Sequence, residues 1–374
     1  MMATVEHRLR VPYTNFKQQY AAIGDDLLAA VRGVLQNGDF ILGSEVERFE
    51  QTFADYCGVR HAIGVANGTD ALVMALKVLG IGPGDEVITA PNSFLASAAA
   101  IALAGATPRF ADVKDDLNID AAAIERVLSP RTKAIMPVHL TGRPADMNAI
   151  DEVARRHRLL VIEDAAQAVG ATYHRRRVGG LGQIGCFSLH PLKNLNAAGD
   201  AGVMTTNDDR IAGVLRQMRN HGLRNRNESD FWGFNSRLDT IQAAMLNVKF
   251  RHLDATTQAR RANARFYADA LADVVEVPRE RDYEHCVYHT FVVQCDRRDA
   301  LQARLLDDGI ETKVHYPIPI HLQKAAAALG YRKGDFPIAE RQADRILTLP
   351  NYPELSEEQK QLVVSSIRRF HEAR

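Results

Sequence analysis

The stretch that organises this chain is Gly185-Cys186-Phe187-Ser188-Leu189-His190-Pro191-Leu192-Lys193-Asn194-Leu195. Its apolar first half predicts a short strand, and the turn after that strand presents a single lysine, Lys193. Gly199-Asp200-Ala201-Gly202 then ends the turn and leads into a second apolar run. Most lysines in turns are solvated. A compact and poorly hydrated turn, however, lowers the pKa of an amine and makes it a nucleophile towards an aldehyde.

Upstream of this stretch, short apolar runs alternate with helical stretches. The predicted strands are residues 62–66, 86–90, 108–113, 133–138 and 159–162. The predicted helices between them are residues 70–79, 95–104, 121–128 and 147–157. Nearly continuous apolar strands separated by helices indicate a parallel sheet that is covered on both faces. Ligands bind such sheets at the carboxyl edge, where the turn after each strand lies.

Two other regions flank this pattern. Before it, a helix is predicted at 25–36 and another from Ser44, where Ser44 and Glu47 form a capping box. After it come a long helical run, a strand, a helix, a second strand and two terminal helices, predicted at 238–271, 290–295, 299–307, 311–316 and beyond, with a second capping box at Ser356 and Gln359. We therefore expect an α/β fold with a large domain of residues 1–250 and a smaller α+β domain of residues 251–374.

Composition excludes several classes of protein. The 374 residues carry a formal net charge of 0, which argues against binding to nucleic acid or to an anionic membrane. The four cysteines are too scattered for a disulfide framework or a zinc site, so no metal is expected. The first ten residues lack the apolar core of a secretion signal, and the longest run of small apolar residues, 94–105, is too short to span a membrane. A cytoplasmic protein is expected.

A second candidate residue, Asp164, ends the predicted strand at 159–162. Alone, it is better explained as a helix cap or as a satisfied acid at a strand end. Together with a Schiff-base lysine it has a specific use, because a carboxylate keeps the pyridine nitrogen of pyridoxal phosphate (PLP) protonated. Gln167 would then lie close enough to bond the ring hydroxyl. The pair Asp164 and Lys193 therefore predicts a PLP enzyme.

A phosphate site is predicted where Asn67-Gly68-Thr69-Asp70 joins a strand to a helix. Asn-Gly is often only a turn, and one glycine is a weak signal. A helix N-terminus with a threonine hydroxyl nonetheless binds anions readily, and Ser188 would add a second hydroxyl.

Five motifs carry a resemblance to a known family, and they follow the family order over nearly the whole chain. They are Ala66-Asn67-Gly68-Thr69-Asp70-Ala71-Leu72, Glu163-Asp164-Ala165-Ala166-Gln167, the segment around Lys193, Gly233-Phe234-Asn235-Ser236-Arg237-Leu238-Asp239 and Tyr316-Pro317-Ile318-Pro319-Ile320-His321-Leu322-Gln323. With them the chain resembles the DegT/DnrJ/StrS sugar aminotransferases, which have the aspartate-aminotransferase-like fold (PLP fold type I).

The resemblance implies a role for individual residues. Lys193 would be the catalytic residue that forms the Schiff base. The implied cofactor-binding residues are Gly68, Thr69, Phe94, Asp164, Gln167, Ser188, Lys193 and Asn235. Asn235 is implied to reach the phosphate in the neighbouring subunit, which would require a homodimer. His321, Tyr316 and His190 are candidates for substrate contacts.

The resemblance also implies a reaction. L-glutamate would give its amino group to the cofactor, which alternates between PLP and pyridoxamine phosphate (PMP), and a keto-sugar would receive it. The expected acceptor is a dTDP-linked 3-keto-6-deoxyhexose. Amination at carbon 4, or of a cyclitol or sugar-phosphate ketone, stays open.

Two further alternatives are a non-catalytic sugar-sensing relative and a PMP-dependent sugar dehydratase, although dehydratases of this fold have histidine where Lys193 stands. The chain also departs from the common pattern: Asn196 occupies a position where many members have glycine.

Overall fold

A computed structural model provides the structure of the protein and describes residues 9–372. The helices are α1 (Phe16–Asn37), α2 (Ser44–Cys57), α3 (Gly68–Val78), α4 (Ala96–Leu103), α5 (Ala121–Arg126), α6 (Met147–His157), α7 (Asp209–Met218), α8 (Thr240–Phe250), α9 (Leu253–Leu271), α10 (Arg298–Asp307), α11 (Pro337–Arg345) and α12 (Glu357–Glu372). The strands are β1 (His61–Val65), β2 (Glu86–Thr89), β3 (Thr107–Phe110), β4 (Thr132–Met136), β5 (Leu160–Asp164), β6 (Thr172–Tyr173), β7 (Arg176–Arg177), β8 (Ile184–Ser188), β9 (Gly202–Thr206), β10 (Glu284–His285), β11 (Phe291–Gln294) and β12 (Ile346–Leu349).

Seven strands form the central sheet in the order β1-β9-β8-β5-β4-β2-β3. β9 is antiparallel to β1 and β8, and the remaining neighbours are parallel. The prediction of an α/β protein with a mainly parallel sheet is therefore confirmed. Because β5 and β8 are parallel neighbours, with Asp164 paired to Cys186, the residues after both strands lie at one edge of the sheet.

The predicted strands and helices between residues 61 and 164 agree with β1–β5 and α3–α6, with ends that differ by a few residues. The capping box at Ser356 and Gln359 is also confirmed, since each side chain accepts the other residue's backbone N–H, at 3.1 and 3.2 Å. The one at Ser44 is wrong. Gly43 is the N-cap of α2, and the N–H of Ser44 donates to Asp39 Oδ2 at 2.9 Å instead.

The C-terminal part differs from the prediction at two points. The helical run predicted at 238–271 is divided into α8 and α9 at Arg251 and His252. The strand predicted at 311–316 does not form: Lys313 makes a single bridge to Thr348, and β12 pairs with β11. Beyond that bridge Pro317 has no N–H to extend a ladder, so the chain leaves the sheet.

The apolar core consists of several clusters. One packs α3, α4 and α7 onto the central sheet, with Ile63, Met74 and Leu215 fully buried. Another joins residues of α9, β11, α10, β12 and α12 to Val11, whose carbonyl accepts the N–H of Glu311 at 2.9 Å. The beginning of the described chain therefore packs with its C-terminal part. Within residues 9–372, none of the helices has the length and apolar character needed to cross a membrane.

Candidate functional site

The turn of Lys193 is held by the backbone on both sides. The N–H of Leu189 donates to Ala201 O, and that of Ala197 to Leu189 O, each at 2.8 Å. Inside the turn, the N–H of Lys193 donates to His190 O at 2.8 Å. These bonds set a defined turn directly after β8, at the edge where β5 also ends.

The amine of Lys193 lies in a poorly hydrated place. The side chain is only partly exposed, and burial lowers the pKa of Lys193 to about 8, while the carboxylate of Asp164 acts in the opposite direction. A lysine in water has a pKa of about 10.4, so far more of this amine is neutral near neutral pH. Lys193 is therefore suited to attack a carbonyl and to move protons.

Asp164 ends β5 with a side chain that is 4% exposed. Its Oδ2 accepts a 2.7 Å hydrogen bond from Ser97 Oγ, and its Oδ1 accepts the N–H of Ala166 at 3.2 Å. Burial raises the pKa of Asp164, and the bond from Ser97 opposes that shift most strongly. Ser97 was missed by the sequence reasoning, because it comes from α4 and no local pattern marks it.

The residue before Asp164 anchors the end of β5. Glu163 is fully buried, and its carboxylate accepts three backbone N–H groups, from Gly179, Leu181 and Gly182, each at 2.7 Å. It also lies 3.0 Å from Nε2 of the buried His139. So many bonds to one buried carboxylate fix the strand end that presents Asp164.

Gln167 lies between the backbone of Thr141 and the aromatic ring of Tyr316. Its Oε1 accepts the N–H of Thr141 at 2.7 Å, so its amide group is the donor and lies 3.5 Å from the hydroxyl of Tyr316. Burial raises the pKa of Tyr316 to about 12, which keeps the phenol neutral. The ring of Tyr316 lies 5.6 Å from that of Phe94, which is 54% exposed. The structure thus brings these three residues together.

The predicted phosphate site, where the start of α3 meets the end of β8, is closely packed; we call it the phosphate end. Asn67 caps α3, with its Oδ1 accepting the N–H of Asp70 at 2.8 Å. A Cβ on Gly68 would lie 2.8 Å from Ser188 Cβ, so only glycine permits this approach. The first turn of α3, which contains Gly68 and Thr69, therefore lies against the end of β8 beside Ser188, with the positive end of its dipole at the site.

Two histidines near Lys193 were also missed. Burial, followed by the charges of Lys193 and Lys313, lowers the pKa of His315 to about 4, and its Nδ1 lies 3.0 Å from Thr348 Oγ1. Burial and then Lys193 hold the pKa of His289 well below its usual value. Both rings are therefore neutral in this setting. His315 precedes Tyr316 directly, which is a signal that could have been used; nothing in the sequence marks His289.

The remaining predicted residues lie in different surroundings. His190 is exposed, and its Nδ1 accepts the N–H of Leu192 at 3.3 Å. His321 is 2% exposed, its Nε2 lies 3.0 Å from Glu340 Oε1, and its ring packs against Phe336. Neither Glu340 nor Phe336 is a predicted site residue.

Asn235 has an exposed side chain, and its backbone bridges to Asn220. The next residue, Ser236, donates to Asp70 Oδ2 at 2.6 Å. This bond places the segment of Asn235 beside the first turn of α3, which is the predicted phosphate end.

A cavity of about 790 Å³ lies elsewhere in the molecule. It is lined by parts of residues 115–117, 141–143 and 272–297, together with Arg345 and His371. None of the predicted cofactor-binding residues lines it, although Thr141, whose N–H binds Gln167, does.

Comparison with known proteins adds to this geometry. Residues 21–368 match the sequence model of the DegT/DnrJ/EryC1/StrS aminotransferase family. The pleiotropic regulatory protein of Geobacillus stearothermophilus is 45% identical over 368 residues, covering 97% of this chain and 99% of that protein. The dTDP-3-amino-3,4,6-trideoxy-alpha-D-glucose transaminase of Streptomyces venezuelae is 42% identical over 366 residues, covering 97% of each.

The fold is shared as well. The crystal structure of S. venezuelae DesV superimposes with a TM-score of 0.95 at 42% identity, covering 97% of this chain and 99% of that chain. This confirms the expected aspartate-aminotransferase-like fold, and the family match confirms the resemblance of the five motifs. The chain belongs to the DegT/DnrJ/EryC1/StrS aminotransferase family.

Proposed function

We propose that this protein, a PLP-dependent sugar aminotransferase, moves the amino group of L-glutamate to carbon 3 of a dTDP-linked keto-6-deoxyhexose. The observation that carries the proposal is the pairing of Lys193, whose pKa is lowered to about 8, with the buried Asp164 at one edge of the sheet. A nucleophilic amine and a carboxylate for the pyridine nitrogen are the two groups that PLP chemistry requires of a protein.

The residues at the site fit PLP. Asp164 is buried with a raised pKa, so a protonated ring nitrogen beside it would supply the missing positive charge. The close approach of Gly68 to Ser188 leaves a helix N-terminus and a hydroxyl side by side, as a phosphate requires. The bond from Thr141 to Oε1 of Gln167 leaves its NH2 group as a donor for the ring hydroxyl, and Phe94 offers an exposed ring face.

When bound, PLP supplies an aldehyde that condenses with amines and a ring that withdraws electrons from the neighbouring bonds. The chain's own residues do the rest. Nζ of Lys193 would hold the cofactor, and as a neutral amine it would accept the proton from the α-carbon of the amino donor. Asp164 would keep the ring nitrogen protonated, and Ser97 orients Asp164 through the 2.7 Å bond.

The choice of substrate is supported by a relative. The S. venezuelae transaminase, 42% identical over nearly the whole of both chains, is named for a dTDP-linked sugar with its amino group at carbon 3. The ring of Tyr316 is a suitable surface for a hexose ring, and the neutral His315 beside it would bond a sugar hydroxyl. We assign Tyr316 to the sugar, with His190 and His321 as further candidates.

A homodimer completes the proposal. Phe94, Leu192 and Ile318 are 54%, 43% and 51% exposed, so the site has an apolar rim that faces solvent in one chain. The side chain of Asn235 is exposed next to the phosphate end. A second subunit would cover the rim, exclude water and bring its own Asn235 to the phosphate.

The proposal also includes the two domains of residues 1–250 and 251–374, and a cytoplasmic location. Cys57, Cys186, Cys286 and Cys295 are buried and unpaired, as in proteins of reducing compartments.

A screen in the reverse direction tests the substrate. Purified protein is incubated with 2-oxoglutarate and a panel of amino-sugars on dTDP, UDP or GDP, with aminocyclitols and amino-sugar phosphates alongside. Glutamate formation is followed. We expect the highest rate with a dTDP-3-amino-6-deoxyhexose. A higher rate with a 4-amino-sugar or an aminocyclitol would overturn the choice of substrate without affecting the cofactor.

The role of Lys193 is tested by borohydride reduction of the cofactor-loaded protein. The wild type should lose its visible absorption band and carry the reduced cofactor on Lys193, as read by peptide mass spectrometry. Lys193→Ala should carry none. An adduct of equal yield on another lysine of the variant would contradict the assignment.

A further inference from the structure

The turn that carries Lys193 is tied to α8 by a lysine and an asparagine. Nζ of Lys249 donates to Asn196 Oδ1 at 2.6 Å, and Nδ2 of Asn196 donates to Pro191 O at 2.6 Å. Asn196 is 4% exposed. The two bonds therefore use both ends of one buried amide, which connects the last turn of α8 to a carbonyl two residues before Lys193.

Lys249 is an unusual partner for an amide. It is partly buried, burial lowers its pKa to about 8, and within residues 9–372 no carboxylate lies within ion-pair distance of it. A cation removed from water without a counter-ion costs free energy. Its bond to Asn196 is short and recovers part of that cost, so Asn196 Oδ1 is held in one orientation.

Asn196 closes the loop in which Lys193 lies. Residues 191 and 196 are joined by the amide, and Lys193 stands between them. α8 makes a second contact on the far side of the loop, where Gln242 Oε1 accepts the N–H of Ala198 at 2.9 Å. The loop can therefore move little without breaking bonds to α8.

We propose that Lys249 and Asn196 position the turn of Lys193, keeping its amine out of water and facing Asp164. The proposal rests on the proposed function, since it concerns the amine that binds the cofactor.

The pKa of Lys193 depends on the charged and titratable groups around it. They are Asp164 from β5, His190 in the same turn, and His289 and His315 from the C-terminal part. A looser turn would let water reach the amine, and the pKa of Lys193 would then rise. Removing the charge of Lys249 could also raise that pKa without any movement, so the experiment has to separate the two causes.

The test measures the pKa of Lys193 in cofactor-free protein by competitive acetylation with trace acetic anhydride over a pH series, read by mass spectrometry. Asn196→Ala keeps the charge of Lys249 and removes the amide that joins Lys249 to Pro191. Lys249→Met removes both the charge and the bond to Asn196, whereas Lys249→Arg keeps the charge. Lys133→Met is the control, since this lysine is exposed at β4. Folding is monitored by thermal unfolding, and Asn196→Leu, which is neutral and of similar volume, replaces Asn196→Ala if the latter does not fold.

We expect Asn196→Ala and Lys249→Met to raise the pKa of Lys193 by about one unit and to slow PLP binding about tenfold at pH 7.5, because tenfold fewer amines are neutral. In Lys249→Arg the pKa of Lys193 should lie between the value in these two variants and the wild-type value. In Lys133→Met it should equal the wild-type value. If the pKa of Lys193 rose in Lys249→Met but not in Asn196→Ala, the effect would be electrostatic and the positioning role would be overturned. An unchanged pKa of Lys193 in both variants would overturn it too. A wild-type Lys193 with an ordinary pKa and no PLP adduct would instead contradict the proposed function.

Discussion

The hydroxyl of Ser97 donates a 2.7 Å hydrogen bond to the buried carboxylate of Asp164. Ser97 belongs to α4 and lies 3.0 Å from a second serine hydroxyl, that of Ser93. A short chain of hydroxyls thus ends on the group that we assign to the pyridine nitrogen. Since burial raises the pKa of Asp164 and this bond opposes the rise, Ser97 helps to keep the carboxylate ionised.

Ser97→Ala should therefore weaken cofactor binding. A hydrogen bond to a charged group contributes about 1.5–3 kcal/mol, and about 1.4 kcal/mol corresponds to a tenfold change in Kd. We expect PLP to bind about tenfold more weakly, with a larger deficit at low pH, where the unsupported Asp164 takes up a proton. Kd is measured by fluorescence titration of cofactor-free protein between pH 6 and 8.

Ser365→Ala is the matched control, because Ser365 bonds a carbonyl of its own helix far along the chain. It should leave Kd unchanged. If Ser97→Ala bound PLP as tightly as this control at every pH, Asp164 would not depend on Ser97.

The pH dependence of cofactor binding follows from Lys193. Its pKa is lowered to about 8, so the neutral, nucleophilic fraction of the amine rises as pH increases through about 8. The rate of PLP binding to cofactor-free protein should rise with the same midpoint and level off above it. A lysine with the usual pKa of about 10.4 would give a rate that still rises tenfold per unit at pH 9. Stopped-flow absorbance from pH 6.5 to 9.5 distinguishes the two profiles.

Gly68 should not tolerate a side chain. An added Cβ would lie 2.8 Å from Ser188 Cβ and 3.1 Å from Ser188 Cα, so Gly68→Ala must push the first turn of α3 away from β8. We expect at least about tenfold weaker PLP binding, equivalent to about 1.4 kcal/mol, in a protein that still folds. The effect should be mainly on cofactor retention in dialysis.

Gly33→Ala is the matched control, because Gly33 also lies in a helix, α1, and no atom lies within 4 Å of a Cβ added there. It should raise thermal stability slightly, because alanine is the better helix former, and leave cofactor retention as it was. Equal retention by both variants would show that the approach of α3 to β8 does not form the phosphate site.

The parts of the site that could be predicted are those in which one short segment carries its own signal. An apolar strand followed by an acid marks Asp164, and a strand that ends in a glycine-bounded turn marks Lys193. Their meeting at one edge follows from the parallel pairing of β5 and β8, which the alternation of strands and helices predicts.

The residues that were missed reach the site through tertiary packing. Ser97 comes from a helix of small residues, and His289 from an irregular segment, and neither has a local pattern that differs from its surroundings. The local rules also failed where a competing partner was present. Asp39 takes the N–H of Ser44 that a capping box would have used, and β11 takes β12 as its partner, so that the predicted strand at 311–316 keeps only the bridge from Lys313 to Thr348.

The proposed dimer makes a prediction that single variants cannot test. Asn235 is exposed in its own chain and is proposed to complete the site of the neighbouring subunit. Lys193→Ala and Asn235→Ala proteins should each be nearly inactive, because the first lacks the amine and the second retains cofactor poorly. In a mixed dimer, the Asn235→Ala subunit supplies Lys193 and its partner supplies an intact Asn235, so one complete site forms.

Mixing the two variants under conditions that exchange subunits should therefore restore about a quarter of wild-type glutamate formation, since about half of randomly paired dimers are mixed and each has one complete site of two. If Asn235 acted within its own subunit, no complete site could form and the mixture would stay as inactive as its components. Size-exclusion chromatography with light scattering establishes that each variant is dimeric before mixing. A wild-type protein that is monomeric and fully active would remove the need for the second subunit altogether.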